Sequence, residues 1–253
     1  KQSYFVGRID SSQKSSSQNI LPTNKITHSL TYTKNAFSFK KDEIDFFKVL
    51  PRGTLDSVFT NDSTQVNHLQ NEFIYSFFLR AKGSTFVKNE FKIDAGIKHD
   101  FYNFGQFSLA RNLDRTQSFQ NSFQNISLVG ALGYRFSNNV DFNLDLQQIF
   151  QGRNTGDFLY EAKSNFLLGK NVGRIVLAAY LQNKSPEEIF NRYFGNHHRW
   201  TTNFDRTKTA NFTFTYLNEK YNLDVNAAYY LIANHLYFGA NTGSLNQILP
   251  LQA

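Results

Sequence analysis

Three groups of residues in this chain could do chemistry. The first is the pair His197 and His198 in "FGNHHRW" (Phe194–Trp200). Adjacent residues on an extended strand point to opposite faces, so both rings cannot ligate one metal. No metal site is expected, and the stretch reads as a loop-to-strand junction with Trp200 near an interface. The second group is acidic: Glu187 with Glu188, and Asp42 with Glu43 and Asp45. No glycine-patterned calcium loop accompanies either set, so both read as solvated loop charge. Patterns that set a nucleophile against a base, cradle a phosphate or hold zinc on a helix do not occur. Neither a cofactor nor enzymatic activity is expected.

The third group is charge in alternation. In "VKNEFKIDAGIKHDF" (Val87–Phe101), Lys88, Glu90, Lys92, Asp94, Lys98 and Asp100 alternate with Val87, Phe91, Ile93, Ala95, Ile97 and Phe101. In "VDFNLDLQQIF", Asp141, Asn143, Asp145 and Gln147 alternate with Phe142, Leu144 and Leu146. In "NLDVNAAYYLI", Asn222, Asp224 and Asn226 alternate with Leu223, Val225 and Ala227. Period two is the period of a β-strand, with one face wet and the other dry. Rings of such side chains around enclosed water set ion selectivity in channels. Here their signs are mixed, so neither an anion nor a cation preference follows.

The elements that would position these residues are long strands. Comparable alternation covers 69–81, 125–136, 157–168, 174–183 and 209–216, with weaker phase at 2–9 and 25–39. That is about ten strands of roughly nine to fifteen residues, against about five or six in soluble sheets and nine to eleven tilted residues across a bilayer. Tight turns are expected at Lys82–Thr85, Ser137–Asn139, Lys170–Gly173 and Asn218–Lys220, where Gly and Asn accept the required backbone angles. Long connections are expected at 40–68, 102–124, 151–156 and 184–206. Short and long alternate, which puts all long loops at one end of an antiparallel wall. The polar run "SSQKSSSQN" breaks this parity. Residues 1–24 read as an N-terminal strand and polar linker, and 25–253 as a barrel segment incomplete at its C-terminus, because "NQILPLQA" lacks the look of a closing strand.

Composition agrees. The chain has 253 residues, no Cys and no Met, 27 Phe and 13 Tyr, and a formal net charge of +7. The Lys and Arg residues are spread thinly, so no nucleic-acid surface is expected. Mean hydropathy is −0.46, which leaves a barrel open because half of each barrel strand is polar. Phe123 and Tyr134 read as the two ends of a hydrocarbon band on one strand, with Phe101, Tyr102 and Phe136 as further girdle residues. On 125–136 the wet face would carry Ser127, Val129, Ala131, Gly133 and Arg135, small enough to pack against an inward-folded loop.

"SPEEIFNRYFG" reads differently from its surroundings. Ser185, Pro186 and Glu188 have the order of an N-cap, a first-turn proline and a capping-box acid, so a short helix over 186–193 is expected. One reading makes this loop fold into or over a pore, with Glu187, Glu188, Arg192, His197, His198 and Arg199 as constriction residues. The other, which the sequence favours, is a helical turn that only stabilises a loop.

Arg192–Phe204, "RYFGNHHRWTTNF", with the upstream "SPEEIFNRYF", resembles the "putative porin" family of Bacteroidetes outer-membrane barrels. The residues that carry the resemblance are Pro186, Tyr193, Asn196, His197, Trp200, Asn203 and Phe204, with a departure at His198, where an aromatic is expected. The resemblance covers roughly 125–253 and is structural, so it implies a fold and a bacterial outer-membrane location, and no catalytic site.

The fold expected is all-β, an antiparallel transmembrane β-barrel with about ten strands present in a larger barrel. The function expected is a porin, a water-filled pore for passive diffusion of small polar solutes. The alternative is a non-conducting outer-membrane barrel that acts as scaffold or subunit of an envelope transport or secretion complex. A soluble lipocalin-like binder is a third reading. The expected partners are outer-membrane lipid and lipopolysaccharide, small polar solutes, and either further copies of the chain or envelope proteins.

Overall fold

The structure is a computed structural model, and it describes residues 2–9, 20–44, 49–79, 91–111, 116–169, 171–240 and 248–253. The polar run before residue 20, the turn expected at Lys82–Thr85, and Lys88 and Glu90 lie outside the described residues. Ten strands form one sheet in which every neighbour is antiparallel. In sheet order they are β1 (Gln2–Ile9), β2 (Ile20–Lys41), β3 (Thr60–Leu79), β4 (Phe91–Leu109), β5 (Gln117–Ser137), β6 (Val140–Gly152), β7 (Phe158–Gly169), β8 (Gly173–Lys184), β11 (Thr207–Asn218) and β12 (Leu223–Ala233). Between β8 and β11 lie α1 (Glu188–Asn191) and the two-stranded pair β9 (Arg192–Phe194) and β10 (Arg199–Thr201). The chain after β12 forms a separate hairpin, β13 (Leu236–Ala240) with β14 (Ile248–Gln252).

β1 pairs directly with β2, and β2 runs without a break from Ile20 to Lys41. "NQILPLQA" ends in β14, in the hairpin beyond the wall.

The expected strands exist, but four are much longer than the pattern indicated. β2, β3, β4 and β5 contain 22, 20, 19 and 21 residues. Residues 60–68, 102–109 and 117–124, expected in loops, are paired strand. The reason is chemical. In "TNDSTQVN" both faces are polar, so the hydrophobic alternation disappears while the backbone ladder continues.

Register assigns each side chain to a face. Lys92, Asp94, Lys98 and Asp100 share one face with Ser127, Val129, Ala131 and Gly133 of β5. Through β5 the same face continues to Asp141, Asn143, Asp145 and Gln147, and onward to Glu161, Lys163 and Asn165 of β7. We call this the inner face, because the β8–β11 loop lies on it. The outer face carries Phe73, Ile93, Ile97, Leu128, Leu146, Leu177, Leu181, Phe212 and Tyr229, all exposed.

Burial is inverted relative to a soluble sheet. Thr27, Ser76, Asp100, Gln106, Ser108, Asn125, Ser127 and Asn211 are buried on the inner face. Among the described residues the buried apolar side chains are Leu55, Phe104 and Ala110. Apolar side chains exposed on one face and polar ones buried on the other fit a sheet whose outer face meets an apolar medium. On β3 the outer apolar positions run from Leu69 to Phe77, and Asn61, Ser63, Gln65 and Asn67 follow beyond them. The apolar stretch measures roughly 27 Å along the strand, or about 20 Å in height at barrel tilt, close to a bilayer band. Beyond it the outer positions of β3 are polar.

The girdle is placed differently from the expected one. Phe123 is paired with Tyr102 on the inner face, while Tyr134 is paired with Phe91 on the outer face. The offset from Phe123 to Tyr134 is an odd number of positions, which period two sends to opposite sides. Tyr102 likewise points inward. The outer row at the short-turn end is Phe91, Tyr134 and Phe142, consecutive partners across three strands. Tyr134 also meets the Phe136 ring edge-on at 4.5 Å.

Candidate pore interior and inward loop

The loop joining β8 to β11 crosses the inner face at the end away from the short turns. Its first anchor is Asp157, buried at the end of the β6–β7 hairpin. Its carboxylate accepts from the Ser185 backbone N–H at 2.8 Å and from the Ser185 hydroxyl at 2.7 Å, and pairs with Arg206 Nε at 3.1 Å. Ser185 therefore does not cap a helix. The N-cap position is Glu187, without a side-chain bond, and the helix is the single turn Glu188–Asn191 rather than 186–193. A charge-assisted bond to a buried carboxylate outcompetes a neutral cap.

The second anchor is Asn196, fully buried. Its Oδ1 accepts from the backbone N–H of Leu55 at 2.9 Å and of Asp56 at 3.1 Å. Its Nδ2 donates to Asp56 O at 2.8 Å, Phe59 O at 3.1 Å and Thr60 Oγ1 at 2.9 Å. Its backbone N–H donates to Asp62 Oδ2 at 2.8 Å, and its carbonyl accepts from the Thr54 N–H at 2.8 Å. One side chain thus ties the loop to the β2–β3 connection and to the top of β3. Asp62 also accepts from Ser108 Oγ at 2.5 Å. Gln106 of β4 binds β9 on both sides, donating to Arg192 O and accepting from the Phe194 N–H, each at 3.1 Å. Rings fill the remaining contacts: Tyr193 stacks on Trp200 at 4.6 Å, and Phe190 stacks on Phe238 of β13 at 5.0 Å.

The loop residues singled out in the sequence fall into distinct places. Glu187 is exposed and pairs with Lys184 at 2.8 Å. Glu188 pairs with Arg153 and accepts from Asn121 Nδ2 at 3.3 Å. The Arg192 guanidinium lies 4.7 Å from the Phe119 ring, and Arg199 lies 5.2 Å from the Phe194 ring and donates to Gln117. His197 Nδ1 donates to Pro51 O at 2.7 Å, and its Nε2 meets Thr60 Oγ1 at 2.8 Å. Burial and the neighbouring His197 push the His198 imidazole below its ordinary value, against an opposing pull from Asp62. Burial, helped by Asp62, pushes the Tyr193 phenol up to about 12. The backbone N–H groups of Phe59 and Val58 hold the Asp56 carboxyl below the usual carboxylate range.

The wall residues divide in the same way. Lys98 donates to Gln147 Oε1 at 3.0 Å across β5, and Asp100 accepts from His68 Nε2 at 2.8 Å. Lys92 donates to Asp94 at 2.6 Å. Asp145 stands beside Glu161, and Asn143 beside Lys163. Asp224 and Asn226 lie on the same inner face at β12, two strands beyond β8. Asn222 sits in the turn before β12 with φ of 49°, closing a 3-10 turn rather than standing on a strand. Between loop and wall lies a cavity of about 570 Å³ that touches six consecutive strands, from Thr64 of β3 to Gln182 of β8. The sheet therefore curls around it, and Tyr102, Phe123, Arg153 and Glu188 line its upper end.

Arg153 and Asp157 were not among the residues read as functional from the sequence. The signal available was Gly152, whose φ is 113° and whose added Cβ would sit 2.1 Å from Gln124 O. That tight passage delivers Arg153 inward, where it lies 4.6 Å from the Phe123 ring.

An antiparallel sheet with an apolar outer face, a polar inner face and an inward loop is the arrangement of a barrel wall. The model of the "putative porin" family matches residues 1–249, and the chain belongs to that family. No curated protein and no solved structure matches it. Family membership supports a porin-like barrel role.

Proposed function

We propose that the chain forms the wall and inward loop of a water-filled outer-membrane pore through which small polar solutes diffuse passively. The observation that carries this reading is the inner face: Lys92, Asp94, Lys98, Asp100, Asp141, Asn143, Asp145, Gln147, Asp224 and Asn226 share it, opposite an apolar outer face. Such a face has no use against a packed core and suits enclosed water. Charges of both signs stand on it, so neither an anion nor a cation preference follows. Outer-membrane lipid and lipopolysaccharide are the proposed partners of the outer face, and further copies of the chain or envelope proteins those of the loop end.

Planar-bilayer recording of the full-length protein tests the reading. Discrete conductance steps are the expected result, and their absence at saturating insertion overturns it. A second reading, a non-conducting scaffold barrel within an envelope transport or secretion complex, draws on the loop itself. Asn196 and Gln106 tie that loop across the inner face through backbone bonds, as a plug would be tied. Closed barrels with copurifying envelope proteins would select that alternative.

A further inference from the structure

The β8–β11 loop separates two cavities at the loop end of the wall. Beside the 570 Å³ cavity, across Ser185 and Pro186, lies a second of about 730 Å³, and Arg153, Asn154 and Asn183 border both. Five carboxamides line this second chamber: Asn154, Asn183, Asn191, Asn203 and Asn234. Its cations are largely answered. Arg153 is paired with Glu188 and Arg206 with Asp157, while Lys208 and Asp205 add one charge of each sign. The Oδ1 atoms of Asn183 and Asn191 are buried in the wall without a donor. Among the described residues, the side chains of Asn154, Asn203 and Lys208 make no hydrogen bond. Phe204 and Pro186 supply an apolar patch beside these amides.

This chemistry selects its occupant. An anion brings no donor to a carboxamide oxygen, and two of the three cations already have carboxylate partners. A cation meets Arg153, Arg206 and Lys208 together. A hydroxyl both donates and accepts, so it satisfies amide oxygens and amide N–H groups alike, and a sugar's C–H face suits an apolar patch. We propose that this chamber binds a neutral, hydroxyl-rich solute, a short oligosaccharide, which loads here and then passes Arg153 into the cavity beneath α1. The proposal rests on the pore reading for the passage and not for the binding.

Detergent-purified full-length protein, titrated calorimetrically with maltohexaose, cellohexaose and mannohexaose, tests it. One of the three is expected to bind, and sulfate is expected not to displace it. The double variant N154A/N203A removes two amides whose side chains make no hydrogen bond among the described residues, so the fold is spared. It should bind about ten-fold more weakly or worse, the loss of one or two hydrogen bonds. Binding of none of the three, displacement by sulfate, or unchanged affinity in the variant overturns the site. Saccharide binding without bilayer conductance would remove the pore reading and leave the site standing. Conductance without any saccharide binding would do the reverse.

Discussion

The two halves of the long strands are held by different forces. Near the short turns, the sheet is a bare ladder with apolar side chains outward and paired polar ones inward. In the pore reading its neighbours are lipid and water, and few side chains there reach beyond the next strand. At the loop end β3 and β5 have lost their apolar outer face, while β4 keeps Phe107 and Leu109 there. There the structure is tied by buried polar groups whose partners lie more than a hundred residues away, as Asn196 is tied to Asp56 and Thr60. A bilayer holds a strand by its pattern, whereas water leaves that work to specific knots.

The largest expected effect breaks the second region alone. Asn196→Leu leaves the backbone groups of Leu55, Asp56 and Phe59 unpaired, at a cost of about 3–5 kcal/mol in loop docking. Limited proteolysis should then cut within 184–206, while the barrel keeps its heat-dependent gel mobility. Loss of the barrel as well would mean that the halves are not independent. Next comes the first region. Leu128→Arg on the outer face should cost about 2–4 kcal/mol in folding titrations into vesicles, and Asp145→Arg on the inner face under about 1. Equal costs would erase the distinction between faces.

A smaller effect is expected at the loop's first anchor. Asp157→Asn weakens the bonds to Ser185 and leaves Arg206 without its carboxylate, about 1–3 kcal/mol in loop docking, read by hydrogen exchange at 184–187. Smallest is a pH effect. The His198 pKa is depressed in the folded loop, so the unfolded loop binds more protons in acid. Docking is fully favoured above the unfolded value near 6.5 and weakens as pH falls through it. His198→Gln should flatten proteolytic sensitivity between about pH 6.5 and 5. A slope that survives the substitution assigns the effect elsewhere.

Much of the wall was legible in the sequence, because period two is a local property. Lys92, Asp94, Asp141 and Asp145 could be assigned to a common face from alternation alone, since strands with an apolar side have one workable register. The extension of β3 was not legible, because polar residues on both faces erase that signal, and in β4 and β5 the pattern breaks because Tyr102, Phe104, Phe119 and Phe123 lie on the wet face. The girdle on β5 failed for a related reason: Phe123 and Tyr134 match in residue type but not in parity. The single helical turn was legible, but its cap was not, because Ser185 bonds to Asp157 on another hairpin.

By itself the sequence determined an antiparallel wall with a dry and a wet side, since alternation, turn residues and strand length are read a few residues at a time. Only the tertiary structure decided which long connections were strand, that the β8–β11 loop lies across the inner face, and that Arg153 stands at the junction of two chambers. Those outcomes depend on hydrogen bonds between Asn196, Gln106 and Asp157 and partners far along the chain, and such pairings leave no periodic trace.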